Sequence, residues 1–123
     1  MKIPAQYLPL MPYLILKNAK AFSDFAKTVF GAKEQLTVPA ADGSIMHAEL
    51  KIHDAVIMLA QAGDNWSEKT AGMYIYVEDV DSVYHAAING GAQSLMEPQK
   101  KDYGYTAGFN DPFGNQWWIV AAE

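Results

Sequence analysis

Apolar residues along this chain change period in an ordered way. Leu8 to Leu16 is nearly continuously apolar, with two prolines near its start, and reads as a first strand. Over Ala19 to Phe30 the period becomes helical: Ala19, Phe22, Phe25, Ala26 and Val29 recur at steps of three and four and form one apolar stripe. Asn18 suits the N-cap of that helix, and Gly31 suits the residue just past its end. Glu34 to Pro39 then reads as a strand, Ala41-Asp42-Gly43-Ser44 as a turn, and Ile45 to Ile52 as another strand. His53-Asp54 makes a tight connection to the short apolar strand Ala55 to Ala60, and the polar stretch Gly63 to Lys69 reads as a loop.

The same order follows a second time. Met73 to Val77 reads as a strand, and Val80, Val83, Tyr84, Ala87 and Ile88 mark an amphipathic helix from Asp79 to the stop at Gly90-Gly91. Ala92 to Glu97 and Asp102 to Phe109 are strand-like. The turn Asp111-Pro112-Phe113-Gly114 leads into a last strand, Gln116 to Ala121. Ala19, Phe22 and Ala26 correspond to Val80, Val83 and Ala87 at one constant offset, and Val56 to Leu59 corresponds to Gln116 to Ile119 at nearly the same one. Two βαβββ modules, about 8–61 and 71–122, in one domain spanning 1–123 are the reading this supports; an ordinary α+β domain whose elements happen to alternate is the other. Two such modules would form a curved mixed sheet around a cleft, with alternate strand positions lining it.

Composition narrows the function classes. The 123 residues suit one compact domain, and 50% hydrophobic against 19% charged residues is enough for a core and argues against disorder. Cysteine is absent, which removes disulfides, zinc–thiolate sites and cysteine nucleophiles. The net charge of -5, with Lys100-Lys101 the only lysine pair, argues against a nucleic-acid partner. No apolar run approaches membrane-spanning length, and Met1-Lys2-Ile3-Pro4 opens no signal-peptide core, so a cytoplasmic protein with no membrane partner is expected. There is no glycine-rich phosphate loop, serine nucleophile elbow or HExxH helix.

Four segments carry a family resemblance: Asn18-Ala19-Lys20-Ala21-Phe22-Ser23-Asp24-Phe25, Ile45-Met46-His47-Ala48-Glu49-Leu50, Val77-Glu78-Asp79-Val80-Asp81, and Asp111-Pro112-Phe113-Gly114-Asn115-Gln116-Trp117-Trp118. Together they resemble the PhnB-like branch of the glyoxalase/bleomycin-resistance/dioxygenase (vicinal oxygen chelate, VOC) superfamily, over nearly the whole chain. The resemblance implies the paired βαβββ fold and clefts often completed at a two-fold interface, hence a homodimer. The family's metal enzymes hold a divalent cation on four side chains, two from each module. Carried over, those positions fall at about Met11 and on Met58, Gly72 and Trp118. None offers the oxygen or imidazole donor that such a cation needs, so no metal or other cofactor is expected.

The candidate ligand-binding residues are then Tyr13, His47, Glu49, Met58, Tyr74, Tyr105, Gln116 and Trp118. His47 and Glu49 lie two apart on one strand and share a face. They are the candidate catalytic residues, with His47 a general base or ligand anchor oriented by Glu49; the plainer reading is a structural histidine. Trp118 either stacks on a planar ligand or fills the space of the lost metal. Tyr103 and Tyr105 are a rim of the cleft or ordinary strand packing. Met46 and Met58 suit gap-filling, His53 and His85 solvated positions, and Asp111 the capping of its turn. The expected function is binding of an apolar or aromatic small molecule in the cleft between the two modules, without the usual metal. The alternative is an enzyme of the glyoxalase/dioxygenase type, a lyase or oxidoreductase using His47 as base or within an atypical metal site.

Overall fold

The computed structural model describes residues 1–123 throughout. In chain order the elements are β1 (Tyr13–Leu16), α1 (Ala19–Phe30), β2 (Lys33–Pro39), β3 (Ile45–Ile52), β4 (Ala55–Gln61), β5 (Gly72–Val77), α2 (Val80–Asn89), β6 (Gln93–Lys101), β7 (Gly104–Asn110) and β8 (Gln116–Ala121). They fall into two compact units, Met1–Lys69 and Thr70–Glu123, each strand–helix–strand–strand–strand. The first sheet runs β1-β4-β3-β2 and the second β5-β8-β7-β6. In each, the first and last strands of the half (β1 with β4, β5 with β8) pair in parallel and the remaining pairs are antiparallel. This is the α+β arrangement of two βαβββ halves that the periodicity implied, as two mixed four-stranded sheets, neither closed into a barrel.

Local chemistry sets the helix ends. The Asn18 side chain accepts from the Ala21 N–H at the start of α1, and Asp79 accepts from the Ser82 N–H at the start of α2. Gly31 ends α1 in the left-handed region at φ 67°, where a side chain would be strained, and the Ala32 N–H reaches back to the Ala26 carbonyl. In the first unit, strand alternation sends Leu14, Leu16, Ala48, Leu50, Ile57 and Leu59 to the α1 side, where all are buried with Phe22, Phe25 and Ala26. Burial of each large apolar side chain stabilises by about 1.5–3 kcal/mol. The complementary positions, Tyr13, Ile15, His47, Glu49, Met58 and Ala60, share the open face.

Three strand boundaries differ from the sequence reading by two residues or more. β1 begins at Tyr13 rather than Leu8, because Pro9 and Pro12 have no N–H to give a ladder. β6 runs on to Lys101 instead of stopping at Glu97: it is an edge strand, and Pro98 sits in the register shift between Met96 and Gln99, where a missing donor is tolerated. β7 begins at Gly104, whose φ of 134° turns the chain after Asp102-Tyr103.

Candidate functional site

A hydrogen-bonded chain crosses the open face of the first sheet. Antiparallel pairing sets Glu49 on β3 opposite Met58 on β4, and parallel pairing sets Met58 opposite Tyr13 on β1. His47 is two residues before Glu49 on the same face. Its Nε2 lies 2.8 Å from Glu49 Oε2, and its Nδ1 lies 3.1 Å from the Tyr13 hydroxyl. The Tyr13 and His47 rings lie 5.7 Å apart, tilted by 33°. Both imidazole nitrogens are therefore engaged.

Glu49 is only 2% exposed, so its charge depends on the hydrogen bonds it receives. The Tyr7 hydroxyl donates to both oxygens, at 2.9 and 3.0 Å, and Gln35 Nε2 donates to Oε1 at 3.1 Å. Gln35 reaches this face because β2 carries a register shift between Glu34 and Leu36. Burial pushes the Glu49 carboxyl up, but hydrogen bonds from His47, Gln35 and Tyr7 outweigh it and hold the group below its ordinary value of 4.5. The folded carboxyl thus releases its proton more readily than the unfolded one. Its contribution to stability is complete above about pH 4.5 and is lost as pH falls through the lowered folded value. Tyr7→Phe removes one donor and is expected to move the acid unfolding midpoint upward. Circular dichroism through an acid titration checks this, and coincident transitions for the two proteins would contradict it.

Beside this chain is a cavity of about 720 Å³ within the first unit. Ile15, Ile45, Ala60 and the exposed Trp66 give it apolar walls, and Tyr13 and His47 give it polar ones. Its other polar side chains are already engaged. Gln61 accepts from the Ala19 N–H and donates to the Lys17 carbonyl, fastening α1 to β4. Asp42 accepts from the Ser44 N–H and hydroxyl in the β2–β3 turn.

The open face of the second sheet is aromatic. Tyr74 pairs across with Trp118, and Gly72 with Gln116. The Tyr74 and Tyr76 rings meet edge-on at 5.7 Å, and both side chains are more than half exposed. Partial desolvation and Tyr76 together raise the Tyr74 hydroxyl above the ordinary tyrosine value. Trp118 lies flat over Gly108: a β-carbon at 108 would meet the indole at 2.2 Å. The indole N–H donates to Gln116 Oε1 at 3.2 Å, which fixes the ring's direction. Gly108→Ala is expected to lift the ring from the sheet and cost about 1–3 kcal/mol. Urea unfolding measures this, and a change under about 0.5 kcal/mol would contradict the close approach.

The sequence candidates are therefore sorted by sheet. Tyr13, His47, Glu49 and Met58 share the first open face; Tyr74, Gln116 and Trp118 share the second. Tyr105 belongs to neither, and its expected place on the cleft is corrected. Alternation on β7 turns it to the helix side, where its hydroxyl donates to Asp81 of α2 at 2.7 Å, and that bond raises its pKa. Three contributors were not legible. Tyr7 precedes any periodic segment, Gln35 depends on a bulge, and Trp66 sits in a stretch read as polar loop, where a lone large aromatic was the available signal.

The glyoxalase/bleomycin resistance protein/dioxygenase superfamily profile matches residues 10–119. The chain belongs to this superfamily. An uncharacterised protein of Mycobacterium bovis is 30% identical over 120 residues, covering 88% of this chain and 79% of its own length. Among solved structures, TioX from Micromonospora sp. ML1 superposes with a TM-score of 0.76 at 23% identity, covering 91% of this chain and 96% of its own. A PhnB protein from Bacillus cereus, described as a putative 3-demethylubiquinone-9 3-methyltransferase, gives 0.78 at 17% identity over 94% and 100%. TnmS3 from Streptomyces sp. CB03234, described as an antibiotic binding protein, gives 0.70 at 16% identity over 95% and 100%. At these identities the structural likenesses speak for the fold alone.

The superfamily's metal chemistry can be tested against the donors at hand. Met58 presents a thioether, Gly72 has no side chain, Trp118 presents an indole whose N–H already donates to Gln116, and Met11 precedes β1. His47 and Glu49 are bonded to one another, and no third histidine, aspartate or glutamate joins them in a cluster. A divalent cation needs about three oxygen or imidazole donors converging on one point, and this donor set does not fit it. No helix is long and apolar enough to cross a membrane.

Proposed function

We propose that this VOC protein binds a planar, largely apolar small molecule in the first-unit cavity, without a metal. The observation that carries the reading is a cavity of about 720 Å³ with aliphatic and aromatic walls and one convergent polar pair, Tyr13–His47. The fold shared with an antibiotic binding protein supports the class of function, and the donor chemistry favours binding over metal-assisted catalysis.

A thermal-shift series with planar aromatic probes such as 2-naphthol, run in EDTA, tests this. A probe at 100 times its dissociation constant stabilises by about 2.7 kcal/mol, so Tm should rise by roughly 10 °C. Trp66→Ala, a change at an exposed side chain, should weaken binding by about 2- to 10-fold through lost stacking. No shift with any probe, or shifts that appear only when EDTA is replaced by a divalent metal, would overturn the reading.

The second reading is metal-free proton transfer, favoured by the Tyr13–His47–Glu49 chain. With both imidazole nitrogens engaged, substrate would meet the Tyr13 hydroxyl first and His47 would act through it. A homodimer completes the proposal, because Leu36 and Val38 on edge strand β2 leave apolar area exposed. Light scattering at micromolar concentration should give twice 13.6 kDa, and the monomer mass would contradict it.

A further inference from the structure

The hydrogen-bond chain fixes the polarity of the cavity's central contact. Glu49 receives the Tyr7 hydroxyl on both oxygens and Gln35 Nε2 on Oε1, and its remaining close contact is His47 Nε2 at 2.8 Å. A carboxylate only accepts, so the imidazole carries its hydrogen on Nε2. In the neutral ring Nδ1 is then a lone pair, and the Tyr13 hydroxyl 3.1 Å away is the donor to it. With its hydrogen committed to His47, the Tyr13 oxygen has only lone pairs to offer the cavity. Successive bonds in such a chain polarise one another, which makes that oxygen a better acceptor.

We propose that the Glu49–His47–Tyr13 chain makes this site selective for ligands that present an O–H or N–H donor, such as a phenol or an aromatic amine, over the corresponding ethers or alkylated amines. This rests on the small-molecule-binding reading and names the ligand class. Tyr13 is the contact residue, and His47 and Glu49 are positioning residues that decide which way its hydrogen points. Among the other wall residues, Ile15, Ile45 and Ala60 are apolar, the Gln61 amide is used at the start of α1, and Asp42 accepts; the Trp66 indole N–H is a donor, but it can meet the oxygen of a naphthol and of its ether alike and so does not discriminate between them.

The test is calorimetric titration of the full chain with 2-naphthol and with its methyl ether, 2-methoxynaphthalene, for wild type, Tyr13→Phe and Glu49→Gln. The expected result for wild type is a preference for the naphthol about 3- to 10-fold greater than in Tyr13→Phe, the size of one neutral hydrogen bond. Glu49→Gln should erase the preference, because its amide can give a hydrogen to Nε2 and release the tautomer. Nitrogen NMR of His47 in the unliganded protein should report hydrogen on Nε2. A naphthol-to-ether ratio unchanged by Tyr13→Phe, or hydrogen on Nδ1 in the free protein, would overturn this inference alone. Failure of both probes to bind saturably would overturn the binding reading and the selectivity with it.

Discussion

Asp111→Ala is expected to unfold the protein at a temperature lower by on the order of 10–20 °C. Asp111 is 5% exposed, and its carboxylate accepts four hydrogen bonds. Oδ1 receives the backbone N–H groups of Phe113 and Asn115, at 2.8 and 2.9 Å; Oδ2 receives Asn115 Nδ2 and the Trp117 indole N–H, both at 2.9 Å. Asn115 in turn accepts from the Ala71 N–H, which ties the β7–β8 turn to the start of β5. A methyl group removes the acceptor from every one of these buried donors at once. The penalty is about 3–5 kcal/mol, the cost of breaking a buried charged network from one side. Asp111→Asn keeps the shape but turns an amide N–H₂ toward at least one donor, so it should also destabilise, by less. Scanning calorimetry of the three proteins checks the order, and a loss under about 3 °C for Asp111→Ala would contradict it.

Glu49→Ala is the second large effect expected, and it acts on the candidate site. Three side chains from three segments, Tyr7, Gln35 and His47, point their donors at this one buried carboxylate. Its removal is expected to cost about 2–4 kcal/mol in urea unfolding, because Gln35 and His47 lose a charged partner on a half-buried face. Glu49→Gln should cost less, since the amide oxygen still accepts from Tyr7 or Gln35. A more specific readout is the imidazole: loss of the carboxylate should abolish the single tautomer of His47 in nitrogen NMR, whereas a purely space-filling glutamate would leave it unchanged.

The periodic part of the sequence carried the architecture well. The helix stripes at Ala19–Val29 and Val80–Ile88, the caps Asn18 and Asp79, and the matched strands Val56–Leu59 and Gln116–Ile119 reflect packing that recurs every two or 3.6 residues, so they are visible in one dimension. The same alternation put His47 and Glu49 on one face. What failed to show is non-periodic. Tyr7 reaches Glu49 across 42 residues from a segment without strand or helix, and Gln35 arrives through a bulge. For Tyr105 the sequence leaves a cleft rim and ordinary strand packing both open, because its partner Asp81 lies on a helix 24 residues away. Asp111 was read as a turn cap, which it is, but its bond to the Trp117 indole makes it a core acceptor as well. Pro98 looked like a strand end because a one-dimensional reading does not distinguish an edge bulge from a break.

The site assignment is tested most directly by amide and indole chemical-shift mapping of the ¹⁵N-labelled protein, titrated with 2-naphthol in EDTA. Binding in the first-unit cavity should move the backbone signals of Ile15, His47 and Ala60 and the indole signal of Trp66, saturating together with one dissociation constant. Saturable shifts that spare these four residues, or no saturable shift at all, would contradict it.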